Sequence, residues 1–238
     1  MQHAALIACE SNQPMTLTSP SGTKKKVVVV EDHPLFRAML VQLIDQDLGM
    51  TVCGETDNIK QAMVLIEQLA PSIVILDLTL QGSSGLESIK NLKAQRIRVP
   101  VLVLSMHDEK LYAERVLRAG ARGYITKQEA AAKVIEAIRT VMDGRIYVSD
   151  RVSEEILGKI LDPEKPANPS GVCSLTDREI EVFQLIGKGL NASEIARRLD
   201  LGQTTVDSYR ARIKAKLGIK TIAELYQRAV QWVAEGGV

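Results

Sequence analysis

Residues 73–79 read Ile73-Val74-Ile75-Leu76-Asp77-Leu78-Thr79. Four branched apolar residues in succession leave no polar face. The run therefore predicts a strand, Ile73–Asp77, that is buried on both sides. Such a strand needs a helical layer above it and another below, and this one ends on a carboxylate.

The flanking sequence supplies those layers. Val27–Glu31 is a second β-branched run, ending in Glu31-Asp32, and residues 34–46 follow with helical spacing at Leu35, Met39, Leu40, Leu43 and Ile44. Thr51–Glu55 reads as strand and Ile59–Leu69 as helix. Beyond Asp77 come helix Leu86–Ala94, strand Val101–Ser105, helix Glu109–Ala119, strand Gly123–Thr126 and helix Ala130–Met142. Strand and helix alternate five times, which predicts a doubly wound five-stranded parallel sheet over residues 24–146. Residues 1–23, rich in Ser, Thr and Pro without a period, read as a flexible leader.

After this domain, residues 147–172 read as a linker with a helix at Glu154–Leu161. The stretch from Asp162 to Gly171 holds three prolines and a glycine in ten positions, a composition that neither helix nor strand survives. Residues 173–238 then carry four helical segments and no strand. Thr176 and Glu179 form a capping-box signature ahead of Ile180, Val182, Phe183 and Ile186. Ala192–Leu199, Gln203–Leu217 and Thr221–Ala234 complete an all-α four-helix domain.

A chain of 238 residues accommodates both domains, and its 45% hydrophobic content supports two cores. Cys9, Cys53 and Cys173 lack zinc or redox spacing. No apolar run approaches the roughly 20 residues that span a bilayer, and no secretory signal opens the chain. The expectation is a cytoplasmic protein without membrane partners.

In an open parallel sheet the C-terminal strand ends form the ligand crevice. Here those ends bear Glu31, Asp32, Asp77, Ser105 and, just past the last strand, Lys127. Clustered carboxylates repel one another and call for a cation. Oxygen ligands without His or Cys suit Mg²⁺ with a phosphate partner. An aspartate neutralised in this way beside a lysine is a nucleophile for a phosphoryl group, with Ser105 placed to donate a hydrogen bond to the product.

In the second domain the net charge of +1 for the whole chain hides a concentration. Between Thr204 and Lys220, Arg210, Arg212, Lys214, Lys216 and Lys220 face Asp207 alone, a local +4. Val206, Tyr209, Ile213 and Leu217 form the apolar stripe of this helix. Its other face presents Thr204, Thr205, Asp207, Ser208, Arg210, Ala211 and Arg212. A short helix, a turn and a basic second helix make a helix-turn-helix. The cations suit phosphates, and Ser208 with the side chains near the helix start suits base edges of double-stranded DNA. Ile222, Leu225, Tyr226, Ala229, Val230 and Val233 line the last helix, divided between core and a candidate dimer surface.

These motifs resemble known families. Val-Val-Glu31-Asp32-His33-Pro34, Leu76-Asp77-Leu78 with Gly82-x-x-Gly85-Leu-Glu, Leu-Ser105-Met-His107 and Gly-Tyr124-Ile-Thr-Lys127 are similar to response-regulator receiver domains, which have a flavodoxin-like fold. Leu175-Thr-x-Arg178-Glu179, Gly189-Leu-Asn191-x-x-Glu194-Ile-Ala196 and Thr205-Val206-x-x-Tyr209 resemble the LuxR-type DNA-binding domain of the NarL/FixJ group. The resemblance implies that Asp77 is the phosphoacceptor. It implies that Glu31, Asp32, Asp77 and the Thr79 carbonyl serve Mg²⁺, that Ser105 and Tyr124 are switch residues, and that Lys127 contacts phosphate. It also implies a sensor histidine kinase as partner and a homodimer when phosphorylated. The chain departs from the receiver pattern at Thr79, Gln81 and Gly82, changes that bear on phosphoaspartate lifetime. It departs from the DNA-binding pattern at Asp207 and Ala211, which shifts the expected load to Arg210 and Arg212. Two rival functions share parts of this pattern. A phosphohydrolase with an aspartyl-phosphate intermediate needs a carboxylate where Thr79 stands, so no enzyme is expected. An adapter that no longer binds DNA is left open by Asp207.

Overall fold

The computed structural model describes residues 23–80, 85–95, 97–106, 109–161 and 171–235. The leader up to residue 22, Gln81 and Gly82, His107 and the proline-rich stretch 162–170 lie outside the described residues.

Five parallel strands, β1 (Lys25–Val30), β2 (Met50–Thr56), β3 (Ile73–Asp77), β4 (Val101–Ser105) and β5 (Gly123–Thr126), form one sheet in the order β2-β1-β3-β4-β5. The helices α1 (Pro34–Asp45), α2 (Ile59–Leu69), α3 (Gly85–Ala94), α4 (Glu109–Ala119) and α5 (Lys127–Met142) connect and flank them. Alternation along each strand divides the apolar residues between two layers. Val28, Val30, Val74, Leu76 and Val103 join Ala62, Ile66, Ile89, Leu92 and Val116 of α2, α3 and α4. Val27, Val29, Ile73, Ile75, Leu102 and Leu104 join Leu40, Ile44, Val134 and Ile138 of α1 and α5. Burying each such Val, Leu or Ile stabilises by about 1.5–3 kcal/mol. That is why the unbroken apolar runs, and not amphipathic ones, lie in the centre of the sheet.

The caps fix where the helices begin. His33 Nδ1 accepts a hydrogen bond from the Phe36 N–H, and Pro34 occupies the first turn of α1. Helix α5 begins at Lys127, ahead of the expected Ala130, because its polar first turn has no apolar period to reveal it. This start matters for the site. Helical side chains lean toward the N-terminus of their helix, so Lys127 leans back over the strand ends.

Beyond α5 the chain returns along β5. The Tyr124 N–H donates to the Tyr147 carbonyl and the Tyr147 N–H to the Arg122 carbonyl. Helix α6 spans Asp150–Leu161. It begins ahead of the expected Glu154 because Ser149 Oγ accepts from the Val152 N–H, and Val152 is buried.

The C-terminal helices are α7 (Asp177–Gly187), α8 (Ala192–Leu199), α9 (Gln203–Leu217) and α10 (Ile222–Ala234), preceded by a single 3₁₀ turn at Gly171–Ser174. Thr176–Glu179 is a complete capping box, and a second one at Asn191–Glu194 starts α8. Phe183 and Trp232 pack with their rings tilted by 40° and centroids 5.4 Å apart, and join α7 to α10. Gly187 allows the close approach of these two helices, since a Cβ there would lie 2.5 Å from the Ala229 carbonyl oxygen.

Candidate functional site

The strand order reverses direction between β1 and β3, the place where a doubly wound sheet opens its crevice. Glu31 and Asp32 follow β1, and Asp77 ends β3. Glu31 and Asp77 are buried and Asp32 is half-buried, with one carboxylate oxygen from each lying within 4.8 Å of the others. Lys127 closes the cluster. Its Nζ donates to Glu31 Oε1 at 2.8 Å and to Asp77 Oδ2 at 3.0 Å, and it lies 4.9 Å from the centre of the Phe36 ring. The other Asp77 oxygen, Oδ1, accepts from the Thr79 N–H at 3.0 Å and the Thr79 hydroxyl at 3.2 Å. Glu31 Oε1 also accepts from the His33 N–H.

Three carboxylates against one ammonium leave a formal −2 in this pocket. Burial pushes the Glu31 carboxyl up from its ordinary value, and the Asp77 charge adds to this against the pull of Lys127. Burial would lower the Lys127 ammonium, but its bonds to Glu31 and Asp77 outweigh that and hold it above its ordinary value. Glu31 Oε2 lies 2.7 Å from Lys127 Nζ yet makes no well-directed hydrogen bond. An under-satisfied buried carboxylate oxygen, an excess of negative charge and an all-oxygen donor set fit a hard divalent cation such as Mg²⁺.

The neighbouring strands bring the remaining predicted residues close. Asp77 pairs with Leu104, so Ser105 is the next residue on the adjacent strand, and it is fully buried. Ser105 in turn pairs with Thr126, immediately before Lys127. Tyr124 is fully buried in the same apolar layer as Tyr112 of α4. Two contributors escaped the sequence reading. The Thr79 hydroxyl bonds the Asp77 carboxylate, and Arg37 donates to the Glu31 carbonyl at 2.6 Å, tying α1 to the end of β1. The spacing of Arg37 on the outer side of a predicted helix carried no signal of this.

On α9, Val206 and Ile213 are buried and Tyr209 and Leu217 half-buried, as the stripe requires. Thr204, Thr205, Asp207, Ser208, Ala211 and Arg212 are exposed, and Lys214 is partly so. Ser208 Oγ donates back to the Thr204 carbonyl. The cations do not all project. Arg210 keeps only 13% of its side chain exposed. It hydrogen-bonds the Tyr226 hydroxyl of α10, lies over that ring and pairs with Asp207 at 3.4 Å. Lys216 Nζ donates at 2.7 Å to the buried Glu179 carboxylate. Arg212, Lys214 and Lys220 are the cations of this stretch without such ties to the rest of the domain among the described residues. Of the α10 stripe, Leu225 and Ala229 are buried, while Ile222 and Val230 are about half exposed.

A sheet of this order with an acidic crevice and a facing lysine is a receiver architecture, and the four C-terminal helices hold a helix-turn-helix. The sequence families agree with both. "Response regulator receiver domain" matches residues 27–139, and "Bacterial regulatory proteins, luxR family" matches residues 173–229. The chain is 32% identical over 205 residues to the response regulator UvrY of Escherichia coli K12, covering 86% of this chain and 93% of that one. It is also 32% identical over 206 residues to the response regulator GacA of Pseudomonas aeruginosa, covering 87% and 95%. The fold matches RcsB from Salmonella enterica serovar Typhimurium with a TM-score of 0.64 at 21% identity, over 86% of this chain and 98% of that one. The chain belongs to the two-component response regulators of the NarL/FixJ group, in which a receiver domain is joined to a LuxR-type helix-turn-helix domain and controls transcription. Among the described residues no helix is long and apolar enough to cross a membrane.

Proposed function

We propose that Asp77 accepts a phosphoryl group from a sensor histidine kinase or a small phosphodonor, and that this controls sequence-specific DNA binding through α9. The observation that carries the reading is the pair of holds on Asp77. Thr79 fixes Oδ1, while among the described residues Oδ2 is bound by Lys127 alone, a group equally suited to a phosphoryl oxygen. Asp77 attacks phosphorus, the bond from phosphorus to the donor nitrogen or oxygen breaks, and the donor leaves with its electron pair. Lys127 transfers its ion pair from the carboxylate to the new phosphate. Ser105 donates a hydrogen bond to it, and Tyr124 responds to the Ser105 movement. Glu31, Asp32, Asp77 and the Thr79 carbonyl would hold Mg²⁺, which would supply the positive charge that lets three acids and an incoming phosphate share the crevice.

The reaction is stoichiometric acceptance, not turnover of a substrate, and it takes place in the cytoplasm. The domains are residues 24–146 and 173–238. Thr204, Thr205, Asp207, Ser208, Ala211 and Arg212 face the major groove, with Lys214 toward phosphates and Arg210 and Lys216 holding the helix at its angle. Two phosphorylated chains occupy a two-fold operator. Support comes also from RcsB, whose structure was obtained on promoter DNA with a phosphomimetic.

The test is intact-mass measurement after incubation with acetyl phosphate and Mg²⁺, followed by binding to promoter fragments. Wild type gains one phosphoryl group and binds more tightly, and Asp77→Asn does neither. A phosphoryl group retained on Asp77→Asn, or equal DNA binding by phosphorylated and unphosphorylated protein, overturns the reading.

A further inference from the structure

A second concentration of positive charge lies on the receiver. From Lys90 to Arg122 the chain carries eight Lys and Arg residues against three Asp and Glu, a local +5 in a protein whose total is +1. Neither the phosphoacceptor crevice nor α9 draws on it. Four of these cations line one cavity of about 510 Å³, within the roughly 300–1,000 Å³ of small-ligand sites. Lys90 and Lys93 stand about one turn apart on α3, and Arg115 and Arg118 about one turn apart on α4. Between the two pairs lie only the methyl side chains of Ala94 and Ala119, which leave the space open. Asp177 of the second domain forms part of the wall.

The acids nearby do not cancel the four charges. Asp177 accepts from Lys90 at 3.0 Å and from Arg115 at 2.8 Å. Arg115 also donates to the Leu111, Cys173 and Leu175 carbonyls, so it contributes a fixed charge more than free donors. Glu114 accepts from Nε and Nη2 of Arg118, whose Nη1 has no partner among the described residues. Lys93 has no acid within ion-pair distance among the described residues. Glu109, the other described acid of this stretch, is engaged at the far end of α4 by the Ser149 N–H. Lys90, Lys93, Arg115 and Arg118 against Asp177 and Glu114 leave a formal +2.

The fold makes room for Lys93. Its stem crosses Gly120, where a Cβ would stand 3.2 Å from Lys93 Cδ, and Gly120 has a φ of +127°, which glycine adopts at little cost. Lys93 and Arg118 occupy the last turns of their helices, where the partial negative charge of the helix end favours a cation. Arg98 and Arg122, both exposed, precede β4 and β5 at the same edge of the sheet.

We propose that the cavity between the ends of α3 and α4 binds a small phosphorylated ligand, and that a diphosphate is the group it recognises. Lys90 and Lys93 hold one phosphoryl group and Arg118 the other, with Arg115 as the fixed charge behind them. One phosphate monoester carries about −1.5 to −2 at neutral pH, enough to match the lining. A second phosphoryl group reaches from the α3 pair to the α4 pair and draws on the field of Arg98 and Arg122. The cations face a concave space, so a compact ligand meets all of them, whereas a duplex lying on the surface meets few. The site is independent of the assignment of Asp77.

The experiment is calorimetric titration of inorganic pyrophosphate into the full-length chain, in chelator and at low salt. Without a metal ion the crevice around Asp77 keeps its negative charge and repels the probe. One saturable site per chain is expected. Lys93→Gln and Arg118→Gln should each weaken it about fivefold, the attraction of one unit charge at about 4 Å in water. Lys93→Arg should bind as wild type does. Glu114→Gln frees Arg118 and raises the net charge by one, so it should tighten binding by a similar factor. The same variants are titrated with a promoter duplex. No saturable uptake by wild type overturns the site, as does uptake that Lys93→Gln and Arg118→Gln leave unchanged. If Glu114→Gln moves the affinity in the same direction as those two, the effect is structural and the proposal falls. If the variants weaken duplex binding and not pyrophosphate binding, the face is a DNA contact and the small ligand is ruled out.

Discussion

Replacing Lys127 with Met removes the cation that Glu31 and Asp77 share and keeps most of the stem that lies against Phe36. At an effective dielectric constant of about 20, contacts of 2.7 and 3.0 Å correspond to gross attractions of roughly 6 and 5.5 kcal/mol. Regaining the hydration of the ammonium in the unfolded chain offsets much of this. What remains is the penalty for leaving buried carboxylates unpaired, about 3–5 kcal/mol. Equilibrium urea unfolding followed by circular dichroism at neutral pH in chelator should show that loss in the receiver transition. Millimolar Mg²⁺ should restore most of it, since the cation replaces the missing charge. The loss should also shrink in acid. The Glu31 carboxyl is already raised by burial and by Asp77, and without Lys127 it rises further. For an acid raised in the folded state, the destabilisation is complete above the folded pKa. It disappears as pH falls toward the unfolded value of about 4.3. A Lys127→Met chain that unfolds within about 0.5 kcal/mol of wild type in chelator, or whose loss ignores both Mg²⁺ and pH, would refute the account of a charge-strained crevice.

Four further outcomes are expected. Glu179→Ala removes the acceptor of both the Thr176 N–H and Lys216, and should cost the DNA-binding domain about 2–3 kcal/mol, read from the fluorescence of Trp232, the sole tryptophan. Burial works against the Glu179 charge, but Lys216 and Thr176 hold its carboxyl below the ordinary value. Its contribution is therefore complete above about pH 4.3 and lost as pH falls through the lower folded value. Gly187→Ala should destabilise the packing of α7 on α10 by about 1–3 kcal/mol in the same assay, since the added carbon meets the Ala229 carbonyl at 2.5 Å and also Val233 Cγ2. In fluorescence-anisotropy titrations across salt concentrations, Lys214→Ala should reduce the salt slope of DNA affinity by about one, a phosphate-contact effect. Arg210→Ala should instead lower the melting temperature of the domain, because its guanidinium is held by Tyr226.

The crevice was legible in the sequence because a parallel sheet places every strand terminus of one sense at the same edge. Glu31, Asp32, Asp77, Ser105 and Lys127 were found from strand ends alone, while the division of the strand residues between two apolar layers came from the structure. The helix-turn-helix was legible through its caps and through the stripe of Val206 and Ile213. What the sequence could not supply was the partner of each polar side chain across space. Periodicity says which face of a helix a residue occupies but not what lies opposite. Arg210 and Lys216 were thus grouped with Arg212 as phosphate-binding cations, whereas the packing of α10 and α7 against α9 ties them to Tyr226 and Glu179. The start of α5 at Lys127 was hidden because a polar first turn has no hydrophobic signal. The contact of Arg115 with Asp177 joins residues on either side of a proline-rich stretch, and neither domain pattern requires it. Local sequence determined the two folds and the chemistry at the strand ends, since burial and backbone geometry act over a few residues. Only the tertiary structure decided which charges face solvent and which hold the two domains together, since that depends on helices brought close from distant parts of the chain.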